Sequence, residues 1–359
     1  MTARHHGITR EGERWPPRPR ELEFAAIEPP EPGSAVPIAP GLLWARLPLP
    51  MELAHINVWL FDDGDGDGWT LVDTGMAADP CREAWQKLEQ DVLGGRPIRR
   101  IVVTHDHPDH MGLSPWLQRR HGAEVWMTEV AHGSVAAFLA AEPEEVQARM
   151  RGFLALHGMP VDPGQGRYPA LRHDTWFDGV PVLDVPAADG DVLAAGGREL
   201  RLVETAGHCR GHLCLHDQAG RLLVTGDQVL PTISPNVSVL SSRPDADPLA
   251  EFLASLDRLA ACDPDTLALP SHGRPFRGLH RRMADLRAHH EDQLDRLVAA
   301  CGEPKSAFDL LPVMFGRPLK GFHRILAMCE AVAHLNRLLG AGRVGRDLGG
   351  DGVARFLAA

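Results

Sequence analysis

The densest chemistry in the chain is the run Thr104-His105-Asp106-His107-Pro108-Asp109-His110. It places His105, His107, Asp109 and His110 directly after an apolar strand at 101–104. Neutral imidazole nitrogens and carboxylate oxygens are the donors that zinc and comparable divalent cations take. A loop leaving a strand can turn several of them toward one small volume. Four further segments repeat the arrangement one residue at a time. Asp73 lies in LVDTG, His208 in TAGHCRGH, Asp227 closes LLVTGD, and His272 follows LALPS. Each stands where an apolar strand meets a glycine-containing loop, as expected when strand ends furnish one shared site. A solvated loop or a turn aspartate explains any one of these segments, but not all of them in that order.

The neighbouring residues carry weaker signals. Cys209 and Cys214 read as small buried residues. His212 reads equally as a substrate-facing or a packing histidine. His132, His157, His173, His289 and His290 read as structural or surface residues, and Asp106 and Pro108 as loop-shaping. There is no G-x-S-x-G nucleophile turn, so serine chemistry of that type is not indicated.

Strand ends must converge if these residues are to meet. Alternating and apolar runs predict strands at 42–47, 56–61, 70–73 and 101–104, with DDGDGDG as a hairpin-type turn before Trp69. A helix is expected at 81–93 and a further strand near Val125. From Val130 to about Tyr168 the pattern is helical and reads as an insertion. Strands return at 198–204, 213–216, 222–225 and 266–269, with a helix at 248–262. Mixed strands and helices in two groups predict an α/β sandwich of sheets covered by helices. Residues 1–40, rich in proline and charge, read as an extended, poorly ordered arm. Beyond Gly273, Leu279, Met283, Leu286, His290 and Leu297 share one helical face. Ile325, Met328, Val332, Leu335 and Leu339 share another, with a shorter helix at 306–315 between. GAGRVGRDLGGDGVARFLA then reads as two short strands around a turn, which completes a winged-helix order of elements.

Bulk properties narrow the class. A chain of 359 residues, 44% hydrophobic, holds one large or two unequal domains. No apolar run reaches the roughly 18 residues of a membrane span. The first residues lack an apolar signal-peptide core. Six cysteines without a C-x-x-C pair suit a reducing compartment, so a cytoplasmic location is expected. A net charge of −11 opposes nucleic acid or anionic lipid as a general partner, a local basic groove aside.

H-x-H-x-D-H followed by a distant His, Asp and His resembles the metallo-β-lactamase superfamily over about residues 42–275. The resemblance implies an αββα fold, with domains at 41–275 (the 130–168 insertion included) and a winged-helix-like 276–359. It implies that His105, His107 and His208 bind one metal, that Asp109, His110 and His272 bind a second, and that Asp227 bridges them. Asp109 would also orient the nucleophile or carry its proton, and Asp73 would orient the histidine loop. The cofactors implied are two divalent ions, zinc first, with iron or manganese as alternatives. A bridging hydroxide would then attack an ester, thioester or lactone-type carbonyl of a small-molecule substrate.

GDQVLPTISPNVS and SHGRPFRGLHRRMADLRAHHEDQL, with the C-terminal extension, resemble lactamase-like hydrolases and the related endoribonuclease. Cleavage of single-stranded RNA is therefore an alternative, with Arg274, Arg277, Arg281 and Arg282 either phosphate contacts or a solvated helix start. A non-hydrolytic iron-dependent oxidoreductase or a winged-helix regulator is a third reading. The flavodiiron type would show H-x-E at 105–107. The regulator needs a basic recognition helix, where FHRILAMCEAVAHLNRLLG offers only Arg324 and Arg337 besides histidines. The helical extension also offers a face for a homodimer.

Overall fold

The computed structural model describes residues 22–51, 53–64, 66, 68–161 and 174–359. Before these it describes only the backbone of a short antiparallel pair, β1 (Gly7–Ile8) with β2 (Arg14–Trp15). After β3 (Glu23–Phe24) come β4 (Ala35–Ala39), β5 (Leu42–Pro48), β6 (His55–Asp62) and β7 (Trp69–Val72). Helix α1 (Asp79–Asp91) leads to β8 (Ile98–Val102), the one-turn α2 (Pro108–Met111), α3 (Ser114–His121) and β9 (Glu124–Met127). Helices α4 (Glu129–Ala140) and α5 (Pro143–Leu156) precede β10 (Val185–Pro186). Strands β4 to β10 form one seven-stranded sheet in spatial order β10-β9-β8-β7-β6-β5-β4, antiparallel from β4 to β7 and parallel from β7 to β10.

The second sheet is built from β11 (Val192–Ala195), β12 (Arg198–Thr205), β13 (His212–Asp217) and β14 (Leu222–Gly226). Helix α6 (Pro248–Leu259) then crosses over to the parallel β15 (Leu267–Pro270), and β16 (Phe276–Arg277) and β3 complete its edge. The chain ends with α7 (Leu279–Ala300), α8 (Ala307–Phe315), α9 (Gly321–Gly340) and the hairpin β17 (Val344–Leu348) with β18 (Ala354–Ala358).

The two sheets face each other across a core of Trp44, Trp59, Val72, Val102, Leu213, Leu215 and Leu269. On the outer side of the first sheet, Ile56, Val58 and Leu60 pack with Trp85 and Leu88 of α1 and Leu117 of α3. Strand β6 is thus buried on both faces, which is why its sequence is nearly continuous in apolar residues. On the outer side of the second sheet, Cys214, Leu223 and Ala268 join Phe252 and Leu256 of α6. The same cluster continues into α7, α8, α9 and the hairpin, and takes in Met150, Phe153 and Leu154 of α5. The C-terminal helices therefore share a core with the sandwich. This is the α/β sandwich of sheets covered by helices that the strand and helix pattern predicted, with the αββα layering that the resemblance implied.

The boundary expected at residue 40 needs correction. Ala35–Ala39 is an ordered strand paired to β5, and Glu23–Phe24 pairs with β16. Pro37 misled the reading, since proline argues against a strand; on an edge strand its missing N–H costs no ladder bond. The helical insertion is two helices that end at Leu156, and residues 162–173, His173 among them, lie outside the described residues.

Candidate metal centre

The site lies where both sheets present strand ends. Strand β7 hands over to Asp73, which adopts a left-handed backbone with φ 61°. Its carboxylate accepts from Thr104 N (2.8 Å), from Thr104 Oγ1 (2.8 Å) and from His110 Nδ1 (2.8 Å). One buried side chain thereby fixes the loop that leaves β8. His105 Nδ1 donates to Thr104 Oγ1 at 3.0 Å, which turns Nε2 away from the loop. His107 stands at the N-cap position of α2 without a side-chain bond to it, and Pro108 starts the helix without an orphaned N–H, so Asp109 and His110 share one turn.

The second sheet supplies the rest. His208 Nδ1 donates to the Asn236 carbonyl (2.8 Å), and His272 Nδ1 donates to the His55 carbonyl (2.8 Å). Fixing one ring nitrogen as donor leaves the other as a lone pair aimed at the centre.

Two groups of donors result. His105, His107, His208 and Asp227 offer atoms all within 4.8 Å of one another, and Asp109, His110 and His272 do the same. Asp227 spans both. Its Oδ2 lies 3.5 Å from His208 Nε2, while Oδ1 lies 3.6 Å from His110 Nε2 and 3.5 Å from His272 Nε2. His208 Nε2 and His107 Nδ1 are 3.1 Å apart, and Asp109 Oδ2 is 3.3 Å from His272 Nε2. His105 Nε2, His110 Nε2, His272 Nε2 and Asp227 Oδ1 are all buried without a hydrogen-bond partner in the protein. Each such atom costs about 1–3 kcal/mol, so four gathered in one place need a physical reason. Imidazole and carboxylate lone pairs converging from several directions fit divalent cations.

The electrostatics divide the site. Burial keeps His105 neutral and holds His208 down at about 4. Burial acts the same way on His110 and His272, but there the carboxylates outweigh it. Asp109, Asp227 and Asp73 raise His110, and Asp227 and Asp109 push His272 up to about 10. Burial would raise Asp109, yet His110 and His272 hold it at about 2. The end of the site with two carboxylates thus draws positive charge strongly.

All seven residues read from the sequence as ligands meet here, with Asp73 behind them. His212 does not face a substrate: it is fully buried, donates from Nδ1 to Thr205 Oγ1 (2.9 Å) and accepts Asp227 N at Nε2 (3.1 Å). It therefore holds the backbone of Asp227. Gly226 makes room for it, since a Cβ there would lie 2.4 Å from His212 Nε2 at φ +52°. Cys209 belongs to neither donor group, and burial raises its thiol; Cys214 is buried with its thiol on the Thr225 carbonyl.

His132 donates to Pro181 O, His157 stacks on Phe356, and His289, His290 and His334 cluster in the C-terminal helices. Sequence reasoning missed His55, which accepts Gly273 N at Nε2 (3.1 Å), and Asn236. Both act partly through a backbone carbonyl, which has no side-chain signature. The position of Asn236 in the segment after Asp227 was the available hint.

Of the four arginines considered as phosphate contacts, three are committed to backbone carbonyls. Arg282 is buried and donates to Leu230 O (2.6 Å) and Ile233 O (2.7 Å). Arg274 donates to Ala25 O and Ile27 O, and Arg277 to Asp265 O. Arg281 is exposed at the start of α7.

Comparison with known proteins agrees with this geometry. The family model described as "Metallo-beta-lactamase superfamily" matches residues 52–272, and one described as "Metallo-beta-lactamase-like, C-terminal domain" matches residues 294–359. A crystal structure of a beta-lactamase domain protein from Burkholderia ambifaria superposes with a TM-score of 0.87 and 39% identity, covering 95% of this chain and 99% of that one. The Bacillus subtilis protein named "Probable metallo-hydrolase YqjP" is 26% identical over 82% of this chain and 90% of its own length. An acyl-coenzyme A thioesterase from Gallus gallus is 26% identical over 54% of this chain and 64% of its own length.

Proposed function

The chain belongs to the metallo-β-lactamase superfamily and is a hydrolase of that fold, and from this premise we propose that it cleaves a thioester, ester or lactone of a small acyl substrate at two divalent cations, thioesters foremost. The observation that carries the reading is the divided carboxylate of Asp227, one oxygen turned to each donor group. His105, His107 and His208 would hold one cation, and Asp109, His110 and His272 the other. When bound, such a pair acidifies water and polarises a carbonyl oxygen.

The protein's own part is orientation and proton traffic. Asp109, which keeps 12% of its side chain accessible, would orient the attacking water or carry its proton. Hydrolysis adds the water oxygen to the acyl carbon and delivers a proton to the departing sulfur or oxygen. Asp73 and His212 act from behind, through His110 and the Asp227 backbone. The preference for thioesters is supported by the Gallus gallus thioesterase, whose likeness spans about half of this chain.

RNA cleavage has no comparable support, because Arg274, Arg277 and Arg282 are engaged with carbonyls. Nor is α9 shaped to enter a DNA groove. Ile325, Met328, Val332, Leu335 and most residues between them are buried, so we read the three helices and hairpin as a supporting wall.

The test is metal analysis of protein purified without added metal, together with turnover of acyl-coenzyme A, lactone, aryl ester and labelled RNA probes. His107→Ala should lose most bound metal and nearly all hydrolysis while keeping its circular dichroism. Metal content and turnover equal to the parent would overturn the assignment. Cleavage of RNA alone, falling steeply with salt, would replace it with the nuclease reading.

A further inference from the structure

Helix α9 reaches the metal centre through a polar relay. Glu330 Oε2 accepts from Asn236 Nδ2 at 3.2 Å, and the Asn236 carbonyl accepts from His208 Nδ1 at 2.8 Å. The other end of the Asn236 amide is also occupied, since Oδ1 accepts from Ser238 Oγ at 2.6 Å. One residue before Glu330, the Cys329 carbonyl accepts from Val239 N at 3.2 Å. Val237 and Val239 are buried in the core that α9 helps to form. The segment carrying Asn236 is thus tied to α9 at consecutive helix residues. Its earlier part is tied to α7 by Arg282, through Leu230 O and Ile233 O.

Glu330 is otherwise an expensive residue for this helix. Ala327, Met328, Cys329, Ala331, Val332 and Ala333 around it are buried, and burial lifts its carboxyl to about 7 against the pull of the Asn236 amide. Glu330 itself is half-buried, and a carboxyl partly withdrawn from water without a partner is destabilising. An apolar side chain would suit α9 better unless the carboxylate did something for its neighbour.

We propose that Glu330 is a positioning residue of the metal centre, holding Asn236 so that its carbonyl fixes the ring of His208. This rests on the cation-binding reading above. Partners that orient a metal-binding imidazole typically change metal affinity 10–100-fold when removed. Glu330→Ala should therefore weaken cobalt(II) binding to the protein by about tenfold and alter the visible ligand-field spectrum. Glu330→Gln keeps an oxygen that can accept from Asn236 Nδ2, so it should stay near the parent. Asn236→Asp keeps the backbone carbonyl but replaces the amide donor with a carboxylate facing Glu330, and should resemble Glu330→Ala.

Affinity is read by competition with a chromophoric chelator, and the melting temperature of the chelated proteins is read alongside. Parental affinity and spectrum in both Glu330→Ala and Asn236→Asp would overturn the proposal. So would an equal loss in Glu330→Gln and Glu330→Ala, because that would make charge rather than the hydrogen bond the cause. If Glu330→Ala fails to fold, Asn236→Asp against Glu330→Gln decides the same point. Failure of the parent itself to bind cobalt would instead sink the cation-binding reading, which keeps the two failures apart.

Discussion

At the scale of single residues, the centre is made of lone pairs whose directions are set by partners outside it. Asp73, the Asn236 carbonyl and the His55 carbonyl each fix one Nδ1–H, and His212 fixes the Asp227 backbone. Gly226 is a tight point of this arrangement. Gly226→Ala would place a methyl against His212 Nε2 in a backbone region unfavourable to alanine. We expect a loss of about 2 kcal/mol or more in urea denaturation, and weaker metal retention on dialysis because Asp227 must shift. Unchanged stability and metal content would show that His212 yields freely. The ligand-type side chains were legible in the sequence because each combines a chemistry-bearing type with a strand end and a nearby glycine. The partners His55 and Asn236 were not, because backbone carbonyls act for them and every residue has one.

At the scale of elements, what positions the site is a set of strand ends plus one clamped segment. The long apolar strands β5, β6 and β12 to β14 were readable from their patterning. The two-residue strands β3, β10 and β16 carry too few residues for a period to show, and Pro37 disguised β4. The clamped segment follows Asp227 and is held by Arg282, a charge buried deeply enough that burial lowers its guanidinium to about 10. Its two carbonyl partners, Leu230 and Ile233, would be left without it. Arg282→Met should cost about 3 kcal/mol of stability in urea unfolding, and should lower turnover by loosening the segment that carries Asn236. A stability within about 0.5 kcal/mol of the parent would mean that water replaces the guanidinium without loss.

At the scale of the whole molecule, the sandwich and the C-terminal helices form one apolar body, and buried histidines are distributed through its C-terminal part. Burial lowers His289 to about 3 and His334 to about 4, and holds His290 well below the ordinary value; His157, against Phe356, is lowered to about 4. In the unfolded chain these groups take up protons near pH 6.5. The folded protein binds fewer protons in that window, so their contribution is complete above about pH 6.5 and is lost as pH falls toward 4. For His289 alone the loss is about 2 kcal/mol at pH 5, at about 1.4 kcal/mol per pH unit. Hydrogen-exchange protection factors of α7 and α9 should fall between pH 7 and pH 5. Constant protection would mean that these rings keep their charge balance by other means. The fold class could be read from the alternation of strands and helices. The continuity of the core across the boundary near residue 275 could not, because apolar spacing shows which face of a helix is buried but not what covers it.

The donors come in unequal shares from the two layers. The first sheet gives His105, His107, Asp109 and His110 from one loop, and the second gives His208, Asp227 and His272 from three. The seam between them is already stitched at that end, by Leu213 N to Thr104 O and by Asn57 to Pro270 O. An ion gripped from both sides would work as a rivet through the seam. Binding would then add to the stability of a sandwich that already closes by its own contacts, and a chelator would lower the melting temperature as well as silence the protein.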